Sequence, residues 1–334
     1  MIKVKFDLLY TMRNDIIKSL KTAGMLSEQN LDLGFVSTGS YALNKICSGE
    51  YTGGIPIGLM TQFQGTSSSA KTVFVTHILA EAQKMGYYTM LIDAENAYNS
   101  KFAESLGIDP NNLIYITPES VEDTFDQMDK IVKEIRELDK DTPIVIGYDS
   151  IAVAPCKFEL NRDNYDVDNT DGMRRANVTG SVLRKMNQLL QKNKIALVVI
   201  NQQRSSMNMY GSPKKTAAGG KALFYYLSQE FETFAPPAER IKDDRDNIIG
   251  IRGKVVNTKN KVTLPYQTAQ FELYFDKGLT PHYGILDLLV KDRIVDRSGA
   301  WYQYKDEPKF QAKTFNEGFM TDDKFKTLRE KIGL

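Results

Sequence analysis

LMTQFQGTSSSAKT, residues 59–72, passes from an apolar run through small polar residues to Lys-Thr. Leu59, Met60 and Phe63 read as a short buried strand, and the apolar spacing from Val73 to Met85 reads as a helix. A loop of Gly65, Thr66, Ser67, Ser68, Ser69, Ala70, Lys71 and Thr72 lies between them. In that context the octapeptide is a phosphate-binding P-loop, because backbone N–H groups and a helix start converge on an anion. Lys71 is expected to pair with β- and γ-phosphates and the Thr72 hydroxyl to ligate Mg²⁺. The pattern departs from its usual form at Ala70, where glycine is the rule; a methyl group there is costly if the backbone needs positive φ.

Working outward, strands that are apolar on both faces alternate with helices. Tyr88–Asp93, Pro143–Ser150 and Ile195–Gln202 read as buried strands, with helical spacing over 121–138 and 178–190 between them. Such alternation predicts an α/β fold with a mostly parallel central sheet covered on both faces. Ligands of open parallel sheets bind outside the carboxyl ends of the strands. Asp93 and Glu95, Asp149 and Ser150, and Asn201 and Gln202 all fall at such ends. Asp149 fits the acid that holds Mg²⁺ through water, Glu95 a general base for an attacking water, and Gln202 an amide that senses the γ-phosphate.

The flanks differ. Leu8, Leu9, Met12, Ile16, Ile17 and Leu20 give one apolar helix face that a single short helix cannot bury alone. Residues 157–175 are rich in Asn and Asp, hold Arg162, Arg174 and Arg175, and read as a loop. A second polar stretch, 203–221, carries Arg204, Lys214, Lys215 and Lys221. Beyond about residue 230 short β-like runs without long helices predict an antiparallel extension of the sheet. The residues from 284 on form a small mixed module with the chain's one tryptophan, Trp301. The expected division is therefore 1–35, 36–283 and 284–334.

Composition narrows the class. The 334 residues are 42% hydrophobic and 25% charged, ordinary for a globular protein with a full core. A net charge of +1 leaves any nucleic-acid surface to local clustering. Two cysteines, Cys47 and Cys156, give no disulfide framework, and two histidines offer no zinc spacing. With no membrane-length apolar run and no signal peptide, the expectation is a soluble cytoplasmic protein.

Taken together, the sequence resembles the RecA-type recombinases of bacteria and their phage-encoded relatives. The resemblance runs from about Val36 to Lys305 and rests on STGS (37–40), GG with the following P and G (53–58), the P-loop, IDAENAYNSKFAESLGID (92–109), DS (149–150), VINQQR (199–204), GGKAL (219–223), KNK with a following Pro (259–265) and GAWYQY (299–304). It implies a RecA-like P-loop ATPase core, an N-terminal polymerisation helix and a small C-terminal module. Lys71 and Thr72 then correspond to the phosphate and magnesium residues, Glu95 to the catalytic glutamate and Asp149 to the Walker B acid. Phe102 corresponds to the aromatic that stacks on adenine, and Gln202 to the nucleotide sensor. Lys259 and Lys261 correspond to lysines that reach a neighbouring subunit's ATP. The stretches 157–175 and 203–221 correspond to two DNA-binding loops, with Arg174, Arg175, Arg184, Arg204, Lys214, Lys215, Gly219, Gly220 and Lys221 as candidate contacts. The implied activity is ATP-dependent pairing and strand exchange between single-stranded DNA and homologous duplex DNA, in a self-associated filament. A ring helicase or regulatory ATPase on the same fold, or a passive coating protein, are the alternatives.

Overall fold

Most of the parallel strands form because they are β-branched or aliphatic runs bounded by turn residues, while MTQFQG (60–65) and QEFETF (229–234) also carry polar side chains that pair with each other. The computed structural model describes residues 33–150, 154–162, 170–207, 213–217 and 220–334, with the backbone alone for those between 203 and 222. The N-terminal helix expected around residues 8–20 lies outside the described residues, and Phe35–Leu334 form one unit.

A two-stranded antiparallel ribbon, β1 (Phe35–Val36) with β2 (Ile55–Pro56), frames helix α1 (Tyr41–Ser48). Ser40 caps α1, its hydroxyl accepting from the Leu43 N–H at 3.4 Å. Next come β3 (Met60–Gly65), α2 (Lys71–Lys84), β4 (Tyr88–Asp93), α3 (Ser100–Ser105), β5 (Leu113–Ile116), α4 (Val121–Leu138) and β6 (Ile144–Asp149). Helices α5 (Lys157–Leu160) and α6 (Asp171–Lys192) precede β7 (Ile195–Met207), β8 (Pro213–Ala217) and α7 (Gly220–Tyr226). Strands β9 (Gln229–Phe234), β10 (Arg240–Lys242), β11 (Ile248–Asn260), β12 (Thr268–Tyr274) and β13 (Gly278–Leu279) complete the sheet. Its order is β13-β12-β11-β9-β3-β7-β6-β4-β5. The run from β9 to β5 is parallel, and β9, β11, β12 and β13 pair antiparallel, as expected from the change of pattern near residue 230.

Two cores cover the sheet. On one face Met90, Ile92, Ile144, Ile146, Tyr148, Leu197 and Val199 pack against Met128 and Val132 of α4 and Leu183, Met186 and Leu190 of α6. On the other, Phe63 stacks between Phe74 of α2 and Phe231 at ring distances of 5.4 and 5.3 Å, and Phe271 meets Phe74 edge-on. Helix α2 approaches β6 so closely that a Cβ on Gly147 would lie 2.5 Å from Val75 Cγ1. Each fully buried aliphatic or aromatic side chain contributes about 1.5–3 kcal/mol over its exposed state, which is what fixes α2 and its preceding loop on the sheet.

A line of polar side chains crosses this sheet. Asn201 donates to Gln62 Oε1 (3.2 Å), Gln62 to Glu230 Oε1 (3.1 Å) and Thr258 to Glu230 Oε2 (2.8 Å). The Glu230 carboxylate is thus held by two donors, the condition for burying it.

Two stretches depart from expectation. Arg174 and Arg175 stand in the first turns of α6, not in a loop, because that helix begins at Asp171. The stretch after Gln202 is not loop throughout: β7 continues to Met207 and pairs antiparallel with β8, from Gln203 opposite Ala217 to Met207 opposite Pro213. Beyond helix α8 (Ile285–Lys291), strands β14 (Asp296–Ser298), β15 (Trp301–Gln303) and β16 (Phe310–Gln311) form a small sheet. With α9 (Ala312–Gly318) and α10 (Lys326–Lys331) it surrounds Phe310, Phe315, Phe319 and Phe325. Among the described residues no helix is long and apolar enough to cross a membrane.

Candidate nucleotide cleft

Sheet register brings the strand ends level: Gly65 is opposite both Gln202 and Thr233, and Asp93 is opposite Asp149. These ends border a cleft of about 820 Å³ lined by the loop from Thr66 to Val73 together with Glu95, Phe102, Asp149 and Gln202. Its far wall consists of Pro236, Pro237, Arg240, Ile248 and Phe275.

The loop has the properties an anion cradle needs. A Cβ on Gly65 would meet Thr233 Oγ1 at 2.5 Å and Ser69 Oγ at 2.8 Å, so only glycine fits where the strand turns. The Ser69 hydroxyl donates to the Thr66 carbonyl (2.8 Å) and meets the Thr233 hydroxyl (2.7 Å), which closes the loop on itself. Helix α2 starts at Lys71 with no side-chain cap, leaving its first N–H groups facing the cleft. The Lys71 ammonium donates to the carbonyls of Gly65 (3.2 Å) and Thr66 (2.6 Å), and burial lowers its pKa.

Ala70 takes φ 67° and ψ 13°, the left-handed region in which a Cβ is strained. Ala70→Gly should therefore stabilise the protein by about 1 kcal/mol. That corresponds to a melting temperature about 2 °C higher in calorimetry of the nucleotide-free protein. An unchanged or lower value would show that the loop carries no such strain.

Across from the loop, the Thr72 hydroxyl donates to Asp149 Oδ2 at 2.8 Å. Burial pushes the Asp149 carboxyl up to about 6; the Thr72 hydroxyl opposes the shift and the charges of Glu95 and Asp93 add to it. Among the described residues no cluster of three His, Cys, Asp or Glu side chains is placed to hold a metal. A single carboxylate beside a hydroxyl nevertheless suits Mg²⁺, which keeps several waters and completes its shell from substrate phosphates. The residues present fit that ion.

Among the described residues, Glu95 is held through one carboxylate oxygen. Oε1 accepts from Ser150 Oγ and from Gln202 Nε2, both at 3.0 Å, and neither of these bonds involves Oε2. Phe102 lies on α3, whose start is fixed by Asn99 accepting from the Phe102 N–H at 3.1 Å. The far wall, including Arg240, Ile248 and Phe275, escaped the sequence reading. It comes from the antiparallel strands, and no local pattern says which strand lies beside β9.

Lys259 and Lys261 are far from this cleft. Lys259 is opposite Glu230 on β9, and Glu230 is opposite Gln62, three residues before Gly65 on β3. At about 3.3 Å per residue and 4.8 Å per strand, Lys259 stands about 14 Å from the P-loop end of β3. Its ammonium turns the other way: it donates to the Phe224 carbonyl and lies 4.2 Å from the Phe224 ring centre. Burial, with Lys261 nearby, lowers its pKa. Phe224 and Tyr225 beside it are exposed.

The arginines proposed for DNA are placed unequally. Arg184 is exposed on α6. Arg174 is exposed and covers the Phe158 ring at 4.3 Å. Arg175 pairs with Glu159 at 3.4 Å and donates to the Ala154 carbonyl at 2.9 Å, so part of its function is to tie α6 to α5. The side chains of Arg204, Lys214, Lys215 and Lys221, and Gly219 altogether, lie outside the described residues; Gly220 opens α7.

A parallel sheet with an uncapped helix behind a glycine-turned P-loop defines the class of nucleotide-dependent P-loop enzymes. The RecA N-terminal domain family matches residues 15–280. Protein RecA of Phytoplasma mali (strain AT) is 33% identical over 288 residues, 86% of this chain and 81% of that protein. Protein RecA of Chlorobaculum tepidum is 34% identical over 298 residues, covering 89% and 81%. Protein RecA of Clostridium tetani is 33% identical over 317 residues, covering 92% and 86%. The chain belongs to the RecA family of homologous recombinases.

Proposed function

We propose that the cleft binds ATP with Mg²⁺ and hydrolyses it, and that this cycle governs a helical filament of the chain on single-stranded DNA. Lys71 would exchange the Gly65 and Thr66 carbonyls for the β- and γ-phosphates, while Thr72 and Asp149 would hold the metal ion. Bound there, magnesium neutralises charge on the phosphate oxygens. Glu95 would take the proton of the attacking water at Oε2, with Oε1 fixed by Ser150 and Gln202. Phe102 offers its ring face to the base.

The observation that carries this reading is the continuity of β7. It runs unbroken from Ile195 to Met207, so the strand that presents Gln202 to Glu95 is the same strand that enters the hairpin with β8. A change at the γ-phosphate end is thereby transmitted to the hairpin without a hinge. That hairpin, with Arg204, Lys214 and Lys215, and the neighbouring Gly219, Gly220 and Lys221, would hold the DNA strand. Arg174, Arg175 and Arg184 of α6 would add phosphate contacts. Sequence specificity would then come from pairing between the bound strand and a homologous duplex, in the cytoplasm.

The test is ATP hydrolysis with and without single-stranded DNA, at about 50 and 200 mM salt. Hydrolysis should rise strongly with DNA and lose that stimulation at the higher salt, because phosphate contacts release counterions. A DNA-independent rate, with closed rings seen by electron microscopy, would move the chain to the ring ATPases. An absence of turnover would make it a passive coating protein.

A further inference from the structure

The turn from Asp93 to Tyr98 carries Glu95 into the cleft, and one buried carboxylate organises it. Asp93 is 3% exposed at the end of β4. Its Oδ1 accepts from the Glu95 N–H at 3.1 Å, and its Oδ2 from the Tyr98 N–H at 2.9 Å and the Tyr115 hydroxyl at 2.8 Å. The chain meanwhile passes Asn96 at φ 53°. Tyr115 comes from the adjacent edge strand β5, where it is opposite Leu91.

Tyr115 is unusual for that position. Its side chain is 45% exposed, yet the hydroxyl is turned inward onto Asp93. Its ring packs on Tyr98 at 5.6 Å, a contact that phenylalanine would make equally well. Packing therefore accounts for the ring but not for the hydroxyl.

We propose that Tyr115 is a positioning residue for hydrolysis, acting through Asp93 on the backbone of Glu95. The proposal rests on Glu95 being the general base. Glu95 is fixed from two directions: Ser150 of the β6 end and Gln202 of β7 hold its carboxylate, while Asp93 and Tyr115 hold its backbone from β4 and β5. Without the Tyr115 hydroxyl, Asp93 keeps two backbone donors and loses the one that anchors it to a separate strand. The Ala94 N–H still donates to the Asp149 carbonyl at 2.8 Å, so the turn stays on β6 and the freedom gained is a small displacement of the segment from Glu95 to Tyr98. Displacements of about 1 Å in a catalytic group cost up to about 100-fold in rate. A buried carboxylate deprived of one charge-assisted donor also has a reason to move.

The experiment uses the full chain on saturating single-stranded DNA. Tyr115→Phe should lower kcat for ATP hydrolysis about 10-fold through displacement of Glu95, with KM for ATP unchanged and the melting temperature lower by only about 3–6 °C, the share of one lost charge-assisted hydrogen bond. Asp93→Asn should show the same split with a larger loss. In single-turnover measurements, adding Tyr115→Phe to Glu95→Gln should cost nothing more, because there is no base left to position. A parental kcat for Tyr115→Phe, an equal loss in both backgrounds, or a loss that follows weakened ATP binding would each overturn the proposal. If Glu95→Gln itself hydrolyses like the parent, it is the assignment of the base that falls. If Glu95→Gln is slow and Tyr115→Phe is not, only the positioning role falls.

Discussion

Glu95→Gln should slow single-stranded-DNA-dependent ATP hydrolysis at least about 100-fold, the lower range for loss of a general base, while leaving ATP binding intact. The substitution isolates basicity from geometry. Glu95 Oε1 accepts from Ser150 and from Gln202, and the amide oxygen of glutamine can accept both bonds from the same place. The amide nitrogen then occupies the position of Oε2, where a proton must be received, and it cannot receive one. The P-loop, Thr72 and Asp149 are untouched, so nucleotide and metal binding remain. The filament should consequently assemble with ATP and outlast the parent on DNA, since the step that discharges the nucleotide is blocked. Single-turnover hydrolysis and fluorescent-nucleotide binding, measured side by side, give the answer. A rate within about 3-fold of the parent would remove Glu95 from the base role, since such a role contributes at least about 100-fold.

Much of this site was legible in the sequence because its chemistry is local. The P-loop is one contiguous segment, and Asp149 and Gln202 each close an apolar run whose parallel neighbours fix the level at which they end. The start of α6 was not legible. Its buried positions, Thr179, Leu183, Met186 and Leu190, begin only in the third turn, so the first two turns have no buried period. Thr170 makes no side-chain cap bond either, and a helix without period or cap reads as a loop. Ala70 was flagged by composition, but only the backbone reveals that it takes positive φ. The role of Asp93 was hidden for a different reason. An acid at a strand end looks the same whether it faces a metal or its own turn, and the Tyr115 hydroxyl that distinguishes the cases comes from another strand.

Lys259→Ala should leave the fold intact and lower DNA-dependent hydrolysis on the order of 10³-fold, the scale of a cationic finger supplied in trans. The fold should tolerate the change because Lys259 is only half-buried and its contacts are the Phe224 carbonyl and ring, a cation–π pair of about 0.5–1 kcal/mol. The loss of activity cannot come from the subunit's own cleft. Register sets Lys259 level with Gln62 and two strands away from β3, with its ammonium directed at α7. If Lys259 touches a phosphate, that phosphate belongs to the next copy, and the contact is heterologous, one that propagates into a filament. The exposed Phe224 and Tyr225 beside it then become the apolar margin of that contact. Mixing supplies the decisive measurement. Lys259→Ala subunits keep a working Glu95, and Glu95→Gln subunits keep a working Lys259, so a mixed filament contains some interfaces with both. Its rate should exceed the sum of the two variants assayed separately. A rate equal to that sum would mean that Lys259 acts within its own subunit or not at all, and the former is excluded by the strand register.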